Sequence, residues 1–326
     1  MQLQLTELHN RTLNWTPREV PLQRITFAGN KLYTTLRSTI VVADPSTQGE
    51  TERVAAPGLH QLAPLADSSV VVVGAANTFV IPSDASQPRS LRKVMLLPQE
   101  RLFGNAGIAE QFDVLDANAG RWSSYSFRNT GKVSMVWLPD TTYDIAELKQ
   151  GHCAQLIDGT YGCYARDQLW RMVSHSRPKP VGKCPLEMSV WRVLAGPRAD
   201  QMWLARTDGT LEKWWLATPP KRLAVVQLPR TPLDLAVQGN TTAVIRIIQD
   251  RAKPKQLSLV VLDLQGQQRF EQSLMPTTDD EPSHVEPDLL ESEVVVHPKR
   301  PWVALRSSQG TRVIDANDGS TLYAVR

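Results

Sequence analysis

Two segments whose first residues lie 199 positions apart share one phrase, VLDANAGRW (Val114–Trp122) and VIDANDGSTLYAVR (Val313–Arg326). In both, an apolar run meets Asp, then a small residue, then Gly, then an aromatic. An Asp carboxylate accepts from the backbone two residues on, and Gly takes positive φ without strain, so the phrase reads as turn punctuation rather than an ion loop. A comparable turn recurs near Asp44, Ser83, Asp116, Arg166, Thr218, Asp263 and Asp315, at gaps of 39, 33, 50, 52, 45 and 52 residues.

Strand signals fill the intervals. SSVVVVGA, NTFVIPS, TTAVIRII, SLVVLDL and SEVVVHP are rich in residues whose branched or aromatic side chains suit a pleated surface. Leu32–Val54 aligns with Trp302–Val325, and Cys153–Val173 and Gln201–Val226 keep the same rhythm. Asp158-Gly159 and Asp208-Gly209 are strong hairpin turns. Helical spacing is scarce, and TTYDIAELKQ (Thr141–Gln150) is the best helical candidate.

A four-stranded antiparallel unit repeating roughly every 45 residues, with no helices between, is the signature of a propeller blade. The expected fold is all-β, a single β-propeller over residues 1–326 with about seven four-stranded blades, six or eight staying open. The expected blade limits are 20–57, 58–97, 98–138, 139–180, 186–229, 230–276 and 290–326, with 1–19 as an edge strand or closure segment. One such sheet cannot bury both faces alone, so radial stacking is required. Trp137, Trp170, Trp191, Trp203, Trp214, Trp215 and Trp302 are expected to pack between blades.

At these turns the chain resembles the repeats of pyrroloquinoline-quinone-like and related WD-type propellers. Their blades run apolar–apolar–Asp–small–x–x–Gly–x–x–aromatic. Asp116, Ala117, Gly120 and Trp122 match, as do Asp315, Ala316, Gly319 and Tyr323, with looser matches at Asp44/Gly49 and Asp263/Gly266. The GH…WD and paired-glycine signatures are absent. The resemblance implies a propeller, and neither quinone nor metal ligands can be placed.

Composition narrows the function. A charged fraction of 21% and a net charge of +3 describe a globular chain with too little excess charge to imply nucleic-acid binding. No secretory signal is legible, and no stretch approaches the roughly 18 apolar residues of a membrane span. Cys153, Cys163 and Cys184 are too few for a disulfide framework, so reduced thiols and a cytoplasmic protein are expected. If Asp158-Gly159 closed a two-residue turn, Cys163 would face Ala154 and Cys153 would point to the other side of the sheet. A zinc site from His152, Cys153, Cys163, His175 and Cys184 lacks ligand spacing. No phosphate loop or nucleophile elbow occurs, and the histidines are scattered. No catalytic residue, metal or cofactor is therefore assigned.

The loops carry the functional expectation. PTTDDEPSHVEPDLLESE (Pro276–Glu293) holds seven carboxylates, among them Asp279, Asp280, Glu281, Glu286, Asp288 and Glu293. The basic segments are SRPKPVGK with Arg177 and Lys179, DRAKPK with Arg251, Lys253 and Lys255, and HPKRP. With 176–183 and 276–291 read as connections from outer to next inner strand, and 250–255 as a second-to-third turn, these loops share one rim. Mixed charge on one rim suits protein docking. The expected function is a non-catalytic scaffold in a larger cytoplasmic complex, bound to one or more proteins, with membrane and nucleic acid disfavoured as partners. A central-channel small-molecule binder or enzyme, and a nucleic-acid-associated propeller using basic loops, are the alternatives.

Overall fold

The computed structural model describes residues 23–36, 38–47, 49–56, 60–74, 78–84, 88–91, 100–105, 108–130, 133–136, 141–173, 176–184, 189–229, 232–238, 241–248, 256–273, 292–307 and 310–325. Their strands form seven blades of four antiparallel strands, a seven-bladed β-propeller. Blade one is β1 (Ile25–Ala28), β2 (Lys31–Leu36), β3 (Thr39–Asp44) and β4 (Gly49–Ala55). Blade two is β5 (His60–Pro64), β6 (Val70–Gly74), β7 (Thr78–Ile81) and β8 (Arg89–Leu91). Blade three is β9 (Glu100–Gly104), β10 (Gln111–Asp116), β11 (Arg121–Thr130) and β13 (Thr141–Asp144), interrupted by β12 (Val133–Val136). Blade four is β14 (His152–Gln155), β15 (Tyr161–Ala165), β16 (Gln168–Met172) and β17 (Lys179–Lys183). Blade five is β18 (Val190–Ala195), β19 (Gln201–Arg206), β20 (Thr210–Trp215) and β21 (Lys221–Gln227). Blade six is β22 (Pro232–Gln238), β23 (Thr241–Ile248), β24 (Gln256–Leu262) and β25 (Gln268–Ser273). Blade seven is β26 (Glu293–Val296), β27 (Trp302–Ser307), β28 (Gly310–Asp315) and β29 (Thr321–Val325). The inner strands are β1, β5, β9, β14, β18, β22 and β26.

Seven apolar cores hold the ring, one at each junction between neighbouring blades. Period two explains how. In β6, Val70 and Val72 pack on blade one while Val71 and Val73 pack on blade three. Strands apolar on both faces therefore read as continuous runs such as VVVV. Five of the expected tryptophans sit in these cores or against them: Trp170 faces blade three, Trp191 and Trp203 blade six, Trp302 blade one, and Trp214 the junction of blades four and five. Trp215 is 41% exposed, and Trp137 lies outside the described residues.

Ring closure uses side chains rather than strand exchange among the described residues. Blade seven draws all four strands from one continuous stretch ending at β29. Ile25, Phe27 and Leu32 of blade one pack on Trp302, Ala304 and Tyr323 of blade seven, and the Thr34 and Thr311 hydroxyls meet at 2.7 Å. The closure segment expected over 1–19 lies outside the described residues. No described helix is long and apolar enough to cross a membrane.

Three expectations are corrected. Thr141–Asp144 is a strand, followed only by a short 3-10 turn (Ala146–Leu148), and it pairs with β11, so it completes blade three instead of opening blade four. The long β11 splits its partners: Arg121–Ser124 pairs with β13, and Phe127–Thr130 pairs with β12, which also lies parallel to β8 of blade two. Second, the seven turns are not equivalent. Asp116 and Arg166 link second to third strands, whereas Asp44, Ser83, Thr218, Asp263 and Asp315 link third to fourth. The phrase marks hairpins generally, which is its physical role: Asp116 Oδ1 accepts from the Asn118 and Ala119 N–H groups, and Asp315 Oδ1 from Asn317 N–H.

Third, Cys153 and Cys163 are disulfide-bonded, not reduced thiols on opposite sides. The turn is longer than two residues: Leu156 N–H donates to Thr160 O at 2.7 Å, so Gln155 faces Tyr161 and Cys153 faces Cys163. Counting back from that bonded pair places the cysteines at a non-hydrogen-bonded position, where opposing Cα atoms approach most closely; here they are 4.1 Å apart.

Candidate functional site

Antiparallel alternation gives the ring two rims. One, the entry rim, holds the starts of all inner strands, the second-to-third turns and the links between blades. The other, the exit rim, holds first-to-second and third-to-fourth turns. This sorts the residues singled out from sequence. Arg177 is exposed between β16 and β17, and Lys179 opens β17, so both sit at the exit rim. SRPKPVGK is thus not a connection between blades; Lys179–Lys183 is the outer strand of blade four. Pro is tolerated there because an edge strand has a backbone side with no partner. Arg251, Lys253, Lys255, Asp279, Asp280, Glu281, Glu286 and Asp288 lie outside the described residues; the strand ends flanking them, at Ile248, Gln256, Ser273 and Glu293, meet the entry rim. Of the predicted charged set the structure describes Arg177 and Lys179, and it places these two at the exit rim.

Glu293 is not a solvated loop residue either. It opens β26 and is 4% exposed. It belongs to a polar ring around the channel mouth at the entry rim, which sequence reading missed. Glu293 Oε2 accepts from Arg24 N–H at 2.7 Å, and Asp234 Oδ2 accepts from Val294 N–H at 2.7 Å. Gln61 Oε1 accepts from Leu102 N–H at 3.0 Å, while its amide donates to Glu100 O at 2.6 Å. In each case a side chain at the start of one inner strand latches the backbone of the next. Such bonds satisfy backbone groups on the channel side, where no neighbouring strand is available.

Charge fills the rest of the ring. Arg192 pairs with Asp234 across blades five and six, and the Arg24 and Arg306 guanidiniums approach Glu293 Oε1 at 3.8 and 3.9 Å. Arg306 Nε also donates to Thr35 O at 2.8 Å across the seam. Arg101 Nη2 lies 3.3 Å from His152 Nδ1. Burial, reinforced by Arg101, holds His152 neutral, its pKa pushed down to about 3. Since Nδ1 faces a guanidinium that only donates, the proton sits on Nε2.

Two bulges shape this ring. Trp191 and Leu233 are the extra residues in the inner pairs of blades five and six, and the next residues are Arg192 and Asp234. Bulges of this kind re-aim side chains and concentrate near sites. The other register shifts lie between third and fourth strands.

A second basic pattern runs along the same rim. Arg206, Arg246 and Arg306 sit at one repeat position, opposite the first residues of β18, β22 and β26. Arg206 pairs with Asp208 and the buried Glu212, and Arg246 grips Glu271 with both ends of its guanidinium. The signal was present as LART, VIRI and ALRS, but only a strand register aligns it. Among the described residues no group of three or more His, Cys, Asp or Glu could hold a metal ion.

No known protein family and no curated sequence matches the chain. Solved structures match its fold. The β-propeller domain of Cps50 (Swd1) from Myceliophteria thermophila superposes with TM-score 0.58 at 11% identity, covering 90% of this chain and 95% of that one. Sqt1 from Saccharomyces cerevisiae gives 0.57 at 9% identity over 94% and 85%, and AztD from Citrobacter koseri 0.56 at 12% over 91% and 92%. At such identities the likeness is one of fold.

Proposed function

We propose that this propeller is a non-catalytic scaffold for protein–protein interaction. The observation that carries the reading is the outer hairpin of blade five. Outer strands are edges, and three here are plainly blunted. β4 is charged, β8 has three residues, and β17 carries Pro180 between lysines. β21, KRLAVVQ, has seven residues and leaves Leu223 and Val225 at 41% and 52% exposure. At the end of the adjoining strand Trp215 is 41% exposed, its indole N–H fixed on Asp200 Oδ2 at 2.7 Å. Exposed apolar and aromatic groups beside Lys221 and Arg222 are the composition of a docking surface for another protein.

The double variant Leu223→Ser/Val225→Ser tests this. The expected result is loss of the partner that co-purifies with the native protein, with Tm unchanged within about 2 °C, since both side chains are solvent-facing. Retention of every partner by the folded variant removes blade five as the docking site. Replacement of Asp279, Asp280 and Glu281 by Ala asks the same of the acidic segment. The cytoplasmic placement belongs to this proposal and meets one opposing feature: a Cys153–Cys163 disulfide favours an oxidising compartment. Thiol counting on protein alkylated at lysis decides between them.

A further inference from the structure

We propose that the exit rim of blades three to five, continuous with the outer hairpin of blade five, is one docking surface, and that its partner is an acidic protein segment carrying apolar side chains. The proposal rests on the scaffold reading above and deepens it by naming the chemistry of the partner.

Large exposed apolar side chains are spread unevenly around the ring. Among the described residues there are six: Ile108, Ile157, Val173, Trp215, Leu223 and Val225. All belong to blades three, four and five, and the described residues of the other four blades expose none. Single apolar residues scattered over a surface need no explanation, whereas a set confined to one sector does. Strand order then puts four of them on one rim. Ile108 lies between β9 and β10, Ile157 between β14 and β15, Val173 just after β16, and Trp215 at the end of β20. All four are exit-rim positions, and the first three are 47%, 52% and 54% exposed. Leu223 and Val225 continue the set onto β21.

The turns that carry these side chains are tied to one another. Ile108 N–H donates to Asn105 Oδ1 at 3.0 Å, and Gln155 of blade four donates to the neighbouring Gly104 carbonyl. Asp158 accepts from Arg171 at 2.7 Å, which holds the turn of Ile157 against the strand that Val173 follows. Leu156 and Leu216, the buried neighbours of Ile157 and Trp215, share the core between blades four and five. The exposed groups therefore rise from one packed sector, and a braced surface loses little freedom on binding.

Charge selects the partner. At the exit rim of blades four and five, Arg177, Lys179, Arg198 and Lys221 are exposed and form no ion pair among the described residues. Arg222 is exposed beside them, although it reaches the buried Glu212 at 3.2 Å. The carboxylates there are engaged: Asp158 by Arg171 and Thr160, and Asp200 by the Trp215 indole. Glu110, close to Ile108, marks the acidic margin on blade three. Apolar anchors in a basic field suit a segment that mixes carboxylates with apolar side chains, since the charges orient it and the anchors bury area.

The test pans the full chain against random peptides displayed on phage and measures the enriched peptides by fluorescence anisotropy. The expected peptides are rich in Asp and Glu with interspersed Leu, Phe or Trp, and they bind more weakly as salt rises. Ile157→Ser/Val173→Ser and Lys179→Glu/Lys221→Glu should each weaken them about tenfold or more with Tm unchanged, since all four side chains face water. Enrichment of neutral or basic peptides, or of none, overturns the proposal. So does acidic-peptide binding that both folded variants retain. Without acidic peptides, pelleting with phosphatidylserine–phosphatidylcholine vesicles that Lys179→Glu/Lys221→Glu abolishes overturns it in favour of a membrane surface. Dimerisation abolished by Ile157→Ser/Val173→Ser overturns it in favour of a second copy. A co-purifying partner separates the two readings. Its loss from Leu223→Ser/Val225→Ser, with retention by both exit-rim variants, leaves the scaffold reading standing and removes this one; retention by all three variants removes both.

Discussion

His152 shows how one residue inherits its chemistry from the fold. In sequence it stood beside Cys153 as a zinc candidate. In the structure its neighbour is tied to Cys163, and the imidazole faces Arg101 in the channel. Its pKa falls from 6.5 to about 3, and that of His297 is also lowered by burial, although the bond to Gly29 O opposes this. The sign follows from linkage. Below about pH 6.5 the unfolded chain binds a proton at His152 that the folded chain refuses until about pH 3. Stability from the neutral imidazole is therefore complete above that upper limit and declines as the pH falls toward the lower one. The urea midpoint should drop between pH 6.5 and 4, and His152→Gln should flatten part of the fall. An identical slope in the variant would show that His152 does not carry the proton difference.

At the scale of strands and blades, the strands were legible as continuous apolar runs because blades are apolar on both faces. Runs such as VVVVG and TAVIRII locate strands without any alignment. What stayed hidden depends on register. The Cys153–Cys163 pairing turned on the true length of one turn, and β17 was disguised by Pro180, Gly182 and the preceding Pro178. The polar ring was hidden most deeply: Gln61, Arg101, Arg192, Asp234 and Glu293 share no local motif and meet only after the inner strands are set side by side. Close approach of those strands also explains Gly104. It ends β9 against blade two, and a Cβ there would collide with the Pro64 carbonyl. Gln155 of blade four donates to the Gly104 carbonyl from the other side, so the strand cannot retreat. Gly104→Ala should cost about 1–3 kcal/mol, as overpacking does, read from the urea midpoint at constant m. A neutral result would mean that blades two and three can slide apart.

Across the whole molecule, stability is a chain of nearest-neighbour interfaces closed on itself. Six interfaces join blades that are consecutive in sequence; the seventh, between blades seven and one, must be made without a covalent link beside it. The contacts made there are aromatic and polar. Trp302 packs with Phe27 at 6.5 Å and His297 at 5.2 Å between ring centroids, under the Arg300 guanidinium at 4.4 Å. Glu293, Arg24, Arg306 and Thr35 add a polar clasp across the same seam. Trp302→Ala should therefore cost about 3–5 kcal/mol, the usual loss for a buried large aromatic. More telling is where the loss is felt. Amide exchange should quicken first in β26–β28 and β1–β2, while β14–β20 on the far side stay protected until the ring opens. If exchange instead rises equally in all blades, the seam is no weaker than the interfaces that the chain itself ties, and the propeller opens only as a whole.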